Sequence, residues 1–478
     1  MIVVWGLLAL LAVWLTVILV RAASFKPAAE SEAEPLSLAV DEDAAIRRFA
    51  DLIRFRTVSS TDKRREDPEE FRKLRDYLIA SYPDVTAACA REDVGDRGIL
   101  YRWKGREEGS PSVLMAHYDV VPADASQWRE SPFDGVIRDG ELWGRGTLDT
   151  KGTLHGIMEA AQAMIRRGFV PEHDVYLAFG GDEEILGTGA SDIVALLQKR
   201  GVTPAFVLDE GGAIVERAFP GVTKPAAVVG IAEKGTACVE LTAKGKGGHA
   251  SAPLPRQALG CLGRALNRLQ THPMPFTLTK PALELFDTLG RHSTFPYRVI
   301  FANLWCFGPL LNLICKQSGG EMNALVRTTC ALTMAQGSDA FNVLPAQAKA
   351  SVNLRLICTD DIDRAMARMK KIIADENVTL RLVAGENASR VSATHDEAWN
   401  RLDEAIRAAY PDTVVTPYLM LASSDSRHYS KICDHVFRFS GMPLTREQRG
   451  LIHNADERIP VSQVKDTVAF YASLLARC

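Results

Sequence analysis

Five short runs carry side chains that could hold metal ions and move protons. They are His117-Tyr118-Asp119, the segment 144–152 around Asp149, Gly181-Asp182-Glu183-Glu184, Leu208-Asp209-Glu210-Gly211-Gly212, and the segment 452–457 around His453. Each run alone has a plain alternative. A His-x-Asp pair is also found in surface turns, an Asp ahead of a helix is also an N-cap, and adjacent acids are also found in solvated turns. As a set they say more. Neighbouring carboxylates repel one another unless a cation or a proton separates them. Donors in the order His, Asp, Glu-Glu, Asp, His offer about three ligands to each of two ions if one Asp bridges. Such oxygen and nitrogen donors, with coordination positions left open, suit a catalytic zinc pair.

The elements around these runs explain how they could meet. Residues 112–116 (SVLMA) precede His117, 174–179 (DVYLAF) precede the acidic run at 181–184, and 204–208 (PAFVL) precede Asp209. All three are short apolar runs of the kind that form buried strands. Helical periodicity occupies 44–53, with Ile46, Phe49, Ala50 and Ile53 on one face. It recurs over 152–167, where Gly168 stops it, and within 185–200. Strand and helix alternating at this spacing predict an α/β domain with a mostly parallel sheet. Side chains at the carboxyl ends of such strands line the ligand crevice.

The pattern changes near residue 236. Residues 237–243 (ACVELTA) and 348–356 (AKASVNLRL) alternate with period two, as half-buried antiparallel strands do. A helix over 361–373 and a strand over 378–383 complete an inserted α+β domain. The expected division is a hydrophobic segment at 1–23, a linker at 24–40, a catalytic domain at 41–235 and 385–478, and the insert at 236–384. Helices near 396–409 and 462–477 close the chain.

Bulk properties narrow the function. The 478 residues hold 56 Lys+Arg against 59 Asp+Glu, a net charge of -3, so no basic excess points to nucleic acid. The nine cysteines are scattered without a Cys-x-x-Cys pair, which argues against both a disulfide framework and a thiolate metal site. From Ile2 to Val20 no residue is charged, and such a helix just spans a bilayer core of about 30 Å. It reads as a single-pass membrane anchor. The rival is a signal peptide cut near Val20-Arg21-Ala22, giving a secreted or periplasmic protein, although no Lys or Arg precedes the apolar run. The side of the membrane stays open. Arg21 and Lys26 after the span favour a cytoplasmic body, and the signal-like placement favours the opposite.

The runs MAHYDVVP, ELWGRGTLDTKG, DEEILGTGA, LDEGG, GKGGHAS and FNVLP stand in one order over nearly everything after residue 41. In these the chain resembles the metallopeptidase family of aminoacylase, carboxypeptidase S, glutamate carboxypeptidase and succinyl-diaminopimelate desuccinylase. The resemblance implies a zinc-exopeptidase-like catalytic domain and an inserted lid or dimerisation domain. It implies that His117 and Asp209 hold one zinc, Glu184 and His453 the other, and Asp149 bridges them, with cobalt or manganese as substitutes. Several relatives have Glu where Asp209 stands. Glu183 would be the general base, and Asp119 would orient His117. His249 would supply an oxyanion donor, often from a partner subunit, and Asn342 would contact substrate.

Arg355, on the alternating strand 348–356, suits bidentate recognition of a substrate carboxylate, and Asp425 and Arg427 are candidates to line the same pocket. Segments 301–317 and 324–332 look most like carboxypeptidase S and the N-fatty-acyl-amino acid synthase/hydrolase. The apolar stretch at 301–317 fits a long acyl group, and equally a lid core or a homodimer contact. The expected reaction is hydrolysis of an amide or peptide bond beside a free carboxylate, on a peptide or N-acyl amino acid. Two alternatives are a dipeptidase or aminopeptidase of the same fold and an inactive binding protein. The first needs an amine site that the sequence does not reveal, and the intact ligand set with Glu183 speaks against the second.

Overall fold

The computed structural model describes residues 1–28, 33–36 and 38–478. Its centre is a ten-stranded mixed sheet. Val175–Gly180, Ser112–His117, Phe206–Asp209 and Val436–Arg438 run parallel through the middle. On one side Gly98–Trp103 pairs antiparallel with Val175–Gly180, and Cys89–Val94 pairs antiparallel with Gly98–Trp103 in turn. On the other side Ala226–Glu233 pairs antiparallel with Val436–Arg438, and Val414–Met420 runs parallel to Ala226–Glu233. The expectation of a mostly parallel sheet therefore holds for the centre and fails at the flanks. A tight turn between Val94 and Gly98 joins the two outer strands as a hairpin, and a turn that short permits only antiparallel pairing.

Both faces of the sheet are covered, which explains why its central strands are unbroken apolar runs. On one face lie Lys151–Arg166, Ser462–Leu475 and Glu397–Ala409. Leu154, Ile157 and Val468 pack there with Leu114 and Leu177 of the strands. On the other face Gly189–Lys199 sets Ile193, Val194 and Leu197 against Val113, Met115 and Val207. At the chain's entry to the body, Asp41 caps Glu42–Ile53 by accepting from Ala44 N at 3.0 Å.

A second sheet stands apart, with four antiparallel strands in the order Thr329–Gln336, Gln347–Leu356, Gly235–Lys244, Val378–Glu386. The alternation read from the sequence is its inner and outer face. Val239, Leu241, Val352 and Leu354 turn inward onto helices Ala258–Thr271 and Ile362–Ile373. The helices Lys280–Arg291, Phe295–Phe301 and Leu304–Ser318 pack elsewhere. Phe286, Phe301 and Leu311 join Ala226, Ala232, Val414 and Leu419 at the far edge of the large sheet. The apolar stretch 301–317 thus lies outside the core of the four-stranded sheet.

Ile2–Ser24 is a single helix, long and apolar enough to cross a membrane. Of the expected linker, residues 29–32 and 37 lie outside the described residues. Leu36, Leu38 and Val40 pack against the large core, so the segment ahead of Asp41 is partly part of the body.

Candidate active site

His117 ends the buried strand Ser112–His117, and its ring is buried. Its Nδ1 lies 3.0 Å from the Asp119 carbonyl oxygen and 3.3 Å from Asp119 Oδ1. That contact turns Nε2 toward a group of acids. Asp149 Oδ1 lies 2.9 Å from Nε2, and Glu210 Oε1 lies 3.3 Å from it. The second oxygen of Asp149 lies 3.0 Å from His453 Nε2, which is also 3.1 Å from Glu184 Oε1. One carboxylate is therefore shared by two imidazoles, each with a further acid beside it.

Local backbone hydrogen bonds hold these groups in place. Asp119 accepts from Glu183 N at 3.1 Å, Glu184 N at 3.2 Å and the Ser59 hydroxyl at 2.7 Å. It thereby ties the ends of two neighbouring strands together. Glu457 accepts from Gly146 N at 3.1 Å, Leu148 N at 2.8 Å and Asp149 N at 3.3 Å, and pairs with Arg145 at 2.6 Å. It shapes the turn that presents Asp149. Glu457 stands in the run around His453, but its role was not read from sequence. The available signal was a buried-type acid four residues after a candidate ligand, facing an Arg-Gly-Thr turn far upstream. His453 itself adopts φ 62°, a left-handed conformation uncommon outside glycine and asparagine.

The sequence placed Asp209 beside His117, and the structure brings Glu210 there instead. His117, Glu183 and Glu210 form one group of potential metal donors, and His117, Asp149 and Glu184 another. Asp209 is buried, and its Oδ2 accepts from Ser426 N at 2.9 Å. The strand Phe206–Asp209 ends at Asp209, and the chain bends at Glu210. Asp209 is engaged by the turn Asp425–Lys431, while the carboxylate of Glu210 reaches His117.

Charge in the cluster is strongly perturbed. Burial disfavours a charged His117, but Glu210, Asp119 and Asp149 outweigh it and hold the imidazole well above its usual pKa. Hydrogen bonds to Asp149 and Glu184 push His453 up to about 10. Burial, with the Asp149 charge adding to it, raises Glu210 to about 8. Burial likewise raises Glu183 well above the carboxylate range. Burial alone would raise Asp149 too, but the two imidazoles hold it below that range. Acids packed this way take up either protons or cations. Imidazole Nε2 atoms and carboxylate oxygens converging from four strand ends or turns are the donor chemistry that zinc-class ions use, so these residues fit a metal centre.

The remaining candidates lie in two places. His249 and Asn342 come together on the two-stranded ribbon Gly248–His249 with Val343–Leu344, where Ala250 N donates to the Asn342 carbonyl at 3.0 Å. Both are exposed, and His249 Nδ1 contacts the Ser251 hydroxyl at 2.7 Å. Among the described residues no hydrogen bond or ion pair joins them to the cluster around Asp149. Arg355 lies at the foot of the four-stranded sheet, its Nη1 3.4 Å from the Ser423 hydroxyl. Asp425, two residues on, is buried, and burial together with Asp209 raises its pKa well above normal. Arg427 pairs with Glu386 at 3.0 Å, which links this loop to the end of Val378–Glu386.

An α/β sheet that gathers imidazoles and acids at the ends of its strands has the makings of a metallohydrolase. Residues 113–477 match the family described as Peptidase family M20/M25/M40, and the chain belongs to that family. It is a metal-dependent hydrolase of peptide or amide bonds. A carboxypeptidase S-like protein of Dictyostelium discoideum is 35% identical over 437 residues, covering 90% of this chain and 84% of that protein. An N-fatty-acyl-amino acid synthase/hydrolase of Xenopus tropicalis is 34% identical, covering 88% and 83%. Among solved structures, an M20 family metallo-carboxypeptidase from Sulfolobus solfataricus shares the fold, with a TM-score of 0.65 at 17% identity over 90% of this chain and 98% of that one.

Proposed function

We propose that the enzyme releases an amino acid bearing a free carboxylate from an amide or peptide bond, as a carboxypeptidase or N-acyl-amino acid hydrolase carrying two zinc ions. The carrying observation is that His117 and His453 share the two oxygens of Asp149, with Glu210 and Glu184 at their sides. In this reading His117, Asp149 and Glu210 hold one ion, and Asp149, Glu184 and His453 the other. Asp209 is a buried support for the Ser426 loop. Cobalt or manganese would suit the same donors.

Bound there, the metal supplies Lewis acidity to the scissile carbonyl and acidifies a water. The chain's own residues do the rest. Glu183, beside His117 and Glu210, takes the proton of the attacking water and returns it to the leaving nitrogen. Asp119 fixes the His117 tautomer. His249 donates to the developing oxyanion, and Asn342 beside it contacts substrate. Their exposed ribbon suits delivery to the site of a second copy, which makes the four-stranded domain a lid and dimerisation unit. Arg355 takes the substrate carboxylate, with Asp425 and Arg427 shaping the same end of the pocket.

The substrate class draws further support from the relatives named as carboxypeptidase S-like and as N-fatty-acyl-amino acid synthase/hydrolase. The helix Ile2–Ser24 serves as a single membrane span that tethers the body. A panel of N-acyl amino acids, blocked dipeptides, their C-terminal amides and free dipeptides tests the reading. Hydrolysis confined to substrates with a free carboxylate supports it. Equal rates on the amides, or a preference for a free amine, overturns it.

A further inference from the structure

We infer that the elbow between helices Phe295–Phe301 and Leu304–Ser318 rests in the surface of a lipid bilayer beside the N-terminal helix. The inference rests on reading Ile2–Ser24 as a retained membrane span.

The last turns of that helix are fastened to the elbow. The two short helices meet at 103° across Ala302 and Asn303. The Arg21 guanidinium donates to the Ala302 carbonyl at 2.9 and 3.1 Å and to Asn303 Oδ1 at 3.1 Å. Asn303 is fully buried, and its amide donates to the Ile18 carbonyl at 3.1 Å. Ile18 and Ala22 are buried, whereas the rest of the apolar helix up to Val20 is exposed. Farther on, the Arg291 guanidinium stacks 4.4 Å from the Phe25 ring and donates to the Lys26 carbonyl at 3.1 Å. Wherever the span leaves the membrane, the elbow is held at that exit.

The elbow presents an unusual surface for an aqueous body. Leu311 and Cys315 of Leu304–Ser318 face the core. The opposite stripe is Trp305, Pro309, Leu310, Leu313 and Ile314, spaced as one helical face, and it is exposed. Trp305 is 60% and Leu313 50% exposed, and no charge interrupts the stripe. A helix apolar on both faces belongs in a core or at a membrane, and a contiguous exposed apolar patch marks a contact surface. Phe295 and Tyr297 on the other arm are exposed as well. A cavity of about 410 Å³ opens where the span meets the elbow, with Arg21 and Arg291 beside Phe301 and Trp305, and with Asp287, which pairs with Arg291 at 2.7 Å. Arginines and an indole at the edge of an apolar stripe are side chains that settle at the headgroup level. A bilayer is the occupant because the span already brings one to this face.

The test uses the full chain in phosphatidylcholine vesicles. A W5F/W14F background removes the indoles of the span and leaves Trp305 with the body tryptophans Trp103, Trp128, Trp143 and Trp399. Lipids brominated near the carboxyl end of their acyl chains should quench a component of the emission, and adding W305F should abolish that component. If the protein resists alkaline carbonate extraction but W305F changes nothing, the inference is overturned while the span stands, and a second copy becomes the better occupant of the stripe. If carbonate releases the full chain, both readings are overturned.

Discussion

His117 and His453 approach opposite oxygens of the Asp149 carboxylate, at 2.9 and 3.0 Å, from strands and loops remote in sequence. A carboxylate gripped in this way from both sides is poised to bridge two cations. If so, Asp149→Asn should lose both ions together rather than one. Zinc analysis of the purified variant checks this, and retention of one tightly held ion per chain would contradict a bridge.

Glu210 and Asp209 should part company on mutation. Glu210→Gln replaces a carboxyl donor beside His117 with an amide and should lower metal content at that half of the site. Asp209→Asn should keep the metal, because its Oδ2 serves Ser426 N. It should instead cost about 1–3 kcal/mol of stability by disturbing a buried hydrogen bond. Metal content and chemical denaturation, measured on both variants, separate the roles. Metal loss in the Asp209 variant with normal metal in the Glu210 variant would reverse the assignment.

Glu183→Gln should keep both ions and lose most turnover, because an amide cannot take the proton of water. The expected cost is at least about 10²-fold in kcat. Near-normal activity in the metal-loaded variant would reject Glu183 as the base.

Arg355→Ala should raise KM and lower kcat/KM by roughly ten- to a hundredfold on substrates with a free carboxylate, the worth of a charge-assisted pair. On amidated substrates, already poor, it should change little. Equal losses on both would mean that Arg355 holds the Ser423 loop and does not read the carboxylate.

Acid stability should depend on Glu159, a buried residue of Lys151–Arg166 far from the cluster's chemistry. Burial would raise its pKa, but hydrogen bonds from Arg48 and His155 hold it at about 2. A carboxylate whose folded pKa is depressed stabilises the protein above its unfolded pKa, and loses that contribution as pH falls through the folded one. The loss, of order 3 kcal/mol, should fall between about pH 4.5 and pH 2. Glu159→Gln should flatten the stability profile across that window. An unchanged profile would show that the Arg48 pair contributes nothing to acid stability.

Much of this was legible in the sequence because buried strands are written as apolar runs, and the polar residue that ends each run is conspicuous. His117 and the acidic run at Glu183-Glu184 could be read that way, and Asp149 from its place in a glycine-rich turn ahead of a helix. The choice between Asp209 and Glu210 could not, because PAFVL is apolar on both faces and shows no alternation to say which of two adjacent acids turns toward His117. Strand direction was equally hidden. GILYRW, at 98–103, reads as one more mostly apolar run, and nothing in it shows that it pairs antiparallel with 175–180. The four-stranded sheet was easier, since its half-exposed strands alternate openly. The stretch 301–317 was ambiguous for the opposite reason. Its hydrophobicity marks burial or a membrane without naming the partner, and its inner face packs on the far edge of the large sheet.

The most direct test of the central claim is a zinc titration of chelator-treated enzyme, followed by hydrolysis of an N-acyl amino acid. The account predicts no turnover without metal and full activity as bound zinc approaches two per chain, with the C-terminal amide of the same substrate still resisted. Full turnover in the metal-free protein would contradict it.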